Sequence, residues 1–150
     1  MRHILLLPVL ILATNFAVAQ STTKFNLDDL KWKHRVLVVI ASDSTEKSTA
    51  PLLNQVERYQ ADFLDRNMVL IALLEQNISH IDGVPLDQPS GLDLRDKLSI
   101  ENFDFRIVLI GKDGGIKLDR NVSTDLNDIF AHIDTMPMRR SEMRRKQGGY

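Results

Sequence analysis

A chain of 150 residues with 43% apolar and 26% charged side chains has the composition of one globular domain, large enough to bury its own core. Its formal net charge of −1 argues against wholesale binding to nucleic acid. The absence of cysteine excludes a disulfide framework, a thiolate nucleophile, a Cys-ligated metal and a lipid-modified N-terminal Cys.

Met1-Arg2-His3 opens with positive charge, Ile4 to Ala13 is apolar apart from Pro8, and Ala17-Val18-Ala19 places small residues before Gln20. A cationic start, a short apolar run and a small-x-small site together read as a secretory signal peptide over 1–19. Thr14-Asn15 stops the apolar run well short of the roughly 20 residues that a spanning helix needs. Cleavage after Ala19 is therefore expected to leave an exported protein without a transmembrane span, in a bacterial periplasm or outside the cell. The remainder divides into a domain over 20–137 and a basic tail over 138–150, where Arg139, Arg140, Arg144, Arg145 and Lys146 stand against Glu142 alone.

Lys24 to His34 reads as a short helical lead-in. Asn26 is its cap, Asp28 and Asp29 lie in a first turn that favours negative charge, and Leu27, Leu30 and Trp32 would dock it on the body. Arg35 to Ala41 is β-branched and continuous, the pattern of a central strand covered on both faces. A polar loop over 42–49 follows, with Ser48 or Thr49 as cap and Pro51 in the first turn of a helix expected over 50–66. Leu52, Leu53, Val56, Tyr59 and Phe63 give that helix its apolar stripe. Met68 to Leu74 is a second buried strand. Glu75 to Gly91, with two prolines, reads as a long loop before a short helix over 92–98.

Phe105 to Ile110 is a third buried strand. Asp113-Gly114-Gly115 tolerates positive φ and turns the chain into a partly exposed edge strand from Ile116. Ser123 or Thr124 is expected to cap a helix whose buried stripe is Leu126, Ile129, Phe130 and Ile133. Pro137 either ends that helix or opens a new short one in which Glu142 and Lys146 pair four residues apart. Met136 is expected to pack back on the body, with Arg139 to Lys146 mostly exposed. A strand, a crossover helix and a second strand imply a right-handed parallel unit. The expected architecture is α/β, a three-layer arrangement with a mixed sheet of about four strands and helices on both faces.

That order is thioredoxin-like, and three stretches resemble a thioredoxin-like domain-of-unknown-function family, sometimes called peroxiredoxin-like. They are Trp32-Lys-His-Arg35-Val-Leu-Val-Val, Phe105-Arg-Ile-Val-Leu-Ile-Gly-Lys-Asp-Gly-Gly-Ile-Lys-Leu118, and Phe130-x-x-Ile133-Asp-Thr-Met-Pro-Met-Arg-Arg-x-Glu-Met-Arg144. Members of that family include short secreted bacterial proteins and domains of sushi-repeat extracellular matrix proteins. The resemblance implies the fold. It does not imply thiol chemistry: catalytic thioredoxins carry Cys-x-x-Cys after the first long strand, where this chain has Ser42-Asp43-Ser44-Thr45. It also lacks their proline before the third strand, around Asn102 to Asp104.

Ser42, Asp43, Ser44 and Thr45 thus occupy the position of the thioredoxin active loop. A serine nucleophile there needs a base held by a third group, and His34, His80 and His132 are the histidines that folding would have to deliver. The competing reading is a turn whose hydroxyls satisfy backbone N–H groups. His80 and Asp82 fall short of the three or four ligands of a zinc site, and Gly111-Lys112 lacks the rest of a Walker pattern, so no metal and no cofactor is expected. The candidate binding residues are Lys112, Arg139, Arg140, Arg144 and Arg145, as a docking strip for an anionic partner. The leading expectation is an exported, non-catalytic binding module for an unidentified protein or anionic partner. A cysteine-independent enzyme at Ser42–Thr45 and attachment to an anionic surface through the tail are the alternatives. No specific nucleic-acid binding is expected, and the oligomeric state is left open.

Overall fold

The structure, a computed structural model, describes residues 22–76 and 78–148; the signal peptide expected over 1–19 lies outside them. A 3-10 helix at Leu27–Leu30 leads into β1 (Arg35–Ala41), α1 (Ala50–Arg58), α2 (Gln60–Asp65) and β2 (Met68–Leu74). Then follow β3 (His80–Ile81), β4 (Val84–Pro85), α3 (Gln88–Lys97), β5 (Arg106–Ile110), β6 (Ile116–Arg120), α4 (Leu126–Asp134) and α5 (Pro137–Gln147).

One sheet of six strands runs β4-β3-β2-β1-β5-β6. β1 and β2 are parallel, with Val38 beside Ile71, and α1–α2 form the crossover between them. β5 lies antiparallel on the other side of β1, with Val38 opposite Val108, and β6 is the exposed edge. The expected mixed sheet is present, with six strands in place of about four. The two extra strands form a hairpin inside the stretch read as a loop. Asp82 and Gly83 adopt φ of 45° and 79°, as a primed two-residue turn requires, and Pro85 sits at the outer strand, where its missing N–H costs nothing.

Both faces of the sheet are covered, which is why β1 reads as an unbroken apolar run. Val36, Val38 and Ile40 join Val69, Ile71, Leu73, Val108 and Ile110 beneath α3 and the 3-10 helix. Leu37 and Val39 join Ile107 and Leu109 on the opposite face, against Leu52, Val56, Phe63, Leu126, Ile129, Phe130 and Ile133. Burial of this kind contributes roughly 25 cal/mol per Å² of apolar surface and is the main term holding the layers together.

Several local expectations need correction. Trp32 does not dock on the body; it is 66% exposed, on a left-handed backbone with φ of 65°. Thr49 precedes α1 with helical dihedrals, and its buried hydroxyl makes no cap bond. The helix expected over 50–66 breaks at Tyr59, and α3 begins at Gln88 because Pro89 fits its first turn. Asp125, not Ser123 or Thr124, caps α4 by accepting from the Asn127 N–H. Met136 does pack against the core, but Arg139 is buried, and Glu142 and Lys146 each bind other partners.

Candidate functional site

The polar loop after β1 starts where the strand leaves the sheet. Asp43 Oδ1 accepts both the Thr45 N–H and the Thr45 hydroxyl at 2.7 Å, a turn in which the carboxylate is engaged locally and held below its ordinary pKa by those bonds. Beside the loop, at the C-terminal ends of β1 and β2, lies an open groove of about 650 Å³ lined by Ser42, Glu75, Asp87, Arg95, Glu101 and Phe103. The Arg95 guanidinium lies 4.6 Å from the centre of the Phe103 ring. Glu75, Asp87, Glu101 and Asp104 outnumber that one cation in the lining.

The histidines do not complete a catalytic arrangement with this loop. Ser44 and His80 share a second, more apolar groove, of about 930 Å³, with Leu53, Phe63, Leu70 and Leu74, yet no hydrogen bond joins the two. His34 stands just ahead of β1, at the other end of that strand, with its buried Nδ1 unpaired, and His132 Nε2 lies 3.2 Å from the Lys117 carbonyl. Among the described residues no cluster of three His, Asp or Glu side chains is arranged to hold a metal. None of their helices is long and apolar enough to cross a membrane.

At the other end of β1 the supposed tail builds a network. Arg35, 1% exposed at the head of the strand, donates from Nη1 to the Arg66 carbonyl (2.7 Å) and to Glu142 Oε2 (3.1 Å), and from Nη2 to Glu142 Oε1 (3.3 Å). Lys112, in the β5–β6 turn, reaches Glu142 Oε1 at 2.8 Å. Burial pushes the Glu142 carboxyl up, but the bonds from Lys112 and Arg35 outweigh it and leave its pKa below the ordinary value. Arg139, 3% exposed, donates to Asp134 Oδ1 (3.0 Å) and to the Asp65 carbonyl (2.8 Å), and also binds the Asp65 carboxylate. Arg66 clamps Asp134 from the other side at 2.7 Å, its guanidinium 4.3 Å from the Phe130 ring centre. Hydrogen bonds from Lys146 and Arg139 hold Asp65 down to about 2.

The five candidate binding residues therefore separate. Lys112 and Arg139 are engaged inside the network, while Arg140, Arg144 and Arg145 are exposed and form no ion pair among the described residues. Sequence reasoning missed Asp65, Asp134 and Glu142 as their partners. Arg35 was the available signal, since an arginine heading an otherwise apolar buried strand has to find a carboxylate.

The family profile described as "Domain of unknown function (DUF4174)" matches residues 26–142. The chain belongs to the DUF4174 family. Its fold is similar to that of a reduced 2-Cys peroxiredoxin from Plasmodium vivax, with a TM-score of 0.57 at 15% identity over 78% of this chain and 85% of that one. At that identity the likeness shows the thioredoxin-like fold alone. No curated protein matches. The peroxiredoxin's name specifies two cysteines, and this DUF4174 chain has none.

Proposed function

We propose that this DUF4174 protein is an exported, non-catalytic thioredoxin-fold module that acts by binding, with its ligand seated in the groove beside Ser42. The observation that carries this reading is the state of the β1–α1 loop. Asp43 is held by Thr45, no histidine is hydrogen-bonded to Ser42, Ser44 or Thr45, and the neighbouring groove stands open. A serine nucleophile without a positioned base has little reactivity, whereas a groove with an aromatic ring and convergent charged groups is suited to recognition. The excess of carboxylates around it favours a cationic partner there. The cationic start, short apolar run and Ala17-Val18-Ala19 of the first 19 residues support export, to a bacterial periplasm or beyond the cell.

The test is site-specific photo-crosslinking in the protein's own compartment. A photoreactive residue replacing Phe103 should yield a discrete adduct, and one replacing the exposed Val122 should not. Adducts at position 122 without any at 103 would move the binding surface away from the groove.

A further inference from the structure

Helix α5 is amphipathic in charge rather than in hydrophobicity, and Arg139 is its one fully buried side chain. From Glu142 onward its ties to the body include the Glu142 carboxylate, gripped by Arg35 and Lys112, and the surface pair of Lys146 with Asp65. Arg35 holds that carboxylate through both terminal nitrogens, the two-pronged geometry with which guanidinium groups bind carboxylates and phosphates. The cations belong to the body, at the head of β1 and in the β5–β6 turn; the anion belongs to the strap. A shallow hollow of about 260 Å³, lined by Pro137, Met138, Ser141, Glu142 and Arg145, opens from solvent onto Glu142 and carries Arg145 in the same lining.

We propose that Arg35 and Lys112 form a binding site for a small oxyanion, a carboxylate or a phosphate, and that Glu142 fills it as an internal ligand until a free anion displaces it and releases the end of α5. The inference is independent of the groove beside Ser42. Its energetic basis is that the attraction within a buried ion pair is largely offset by desolvation. Exchanging one oxyanion for another is then close to neutral, while leaving both cations bare is costly. The tethered Glu142 competes as an intramolecular ligand, so displacement needs at least the millimolar range of anion that a short flexible tether would require. An anion entering by the hollow also meets Arg145, a contact that Glu142 does not make among the ion pairs described.

Two measurements test this on the full mature chain. Glu142→Ala should lower Tm in sodium chloride, and sodium acetate or sodium phosphate at matched ionic strength should restore it saturably. Arg35→Met in the same background should abolish the rescue. Equal stabilisation by chloride would overturn the site. Rescue by acetate alone or by phosphate alone assigns the chemical class. In the wild-type protein, the same anions should accelerate trypsin cleavage after Arg144 and Arg145 several-fold and saturably, with trypsin activity normalised on a peptide substrate. Cleavage unchanged by either anion would leave Glu142 a fixed structural partner and would overturn its displacement. Glu142→Ser, which also vacates the space between Arg35 and Lys112, serves for the rescue experiment if the alanine variant does not fold.

Discussion

Replacing Arg139 with alanine removes the hub of the α5 contact, and the structure sets the size of the effect. Arg139 is 3% exposed and links Asp134 and Asp65, by side chain and by backbone carbonyl, to α5. Breaking a buried pair from one side costs roughly 3–5 kcal/mol because the remaining charge is left uncompensated. Here the remaining carboxylates reach water, at 30% exposure for Asp134 and 38% for Asp65, and Arg66 still holds Asp134. A loss of about 2–3 kcal/mol is therefore expected, after discounting for screening. For a domain of this size each kcal/mol moves Tm by roughly 4 °C, so the midpoint should fall by about 8–12 °C. The comparison is Arg140→Ala with Arg144→Ala, two exposed charges that together should cost less than about 1 kcal/mol. Urea and thermal unfolding followed by circular dichroism read both. A change at Arg139 within about 0.5 kcal/mol of wild type, or an equal loss from the exposed pair, would refute the claim that buried ion pairs dock α5.

Acid should weaken the same attachment. With Asp65 held at about 2 against an ordinary 3.8, its contribution is fully present above the ordinary value and is lost as pH falls through the folded one. The urea midpoint should accordingly decline from about pH 4 towards pH 2, and the decline should shrink in Lys146→Ala. Intact mass of the protein recovered from its native compartment should show a start at Gln20 or close to it, because Ala17 and Ala19 meet the small-residue rule; Met1 retained in the soluble pool would remove export from the proposal.

The layered core was legible in the sequence because apolar runs and helical stripes report burial directly. β1, β2 and β5 appear where unbroken runs stood, and Asp113-Gly114 makes the expected turn, with Gly114 at φ of 81°. The β3–β4 hairpin was hidden although Asp82-Gly83 signalled it. Its strands are two residues each, too short to show period-two alternation. The network was illegible for a different reason. Arg35 and Glu142 are 107 residues apart, and Arg139 and Asp65 are 74 apart. Apart from Arg35 at the head of an apolar strand, no local pattern separates a charge that folds inward from one on a solvated face, so a run of arginines reads as a tail until the fold brings carboxylates to it.

Binding without catalysis is tested most directly at Ser42 to Thr45. The purified mature protein is treated with a fluorophosphonate, which traps activated serines, and separately with hydrogen peroxide, and intact mass and peroxide consumption are read. We expect an unchanged mass with the fluorophosphonate and no peroxide consumption above buffer, since the serines lack a positioned base and the chain has no thiol. A fluorophosphonate adduct on Ser42 or Ser44, abolished by the corresponding alanine variant, would contradict that reading and make the loop a catalytic site.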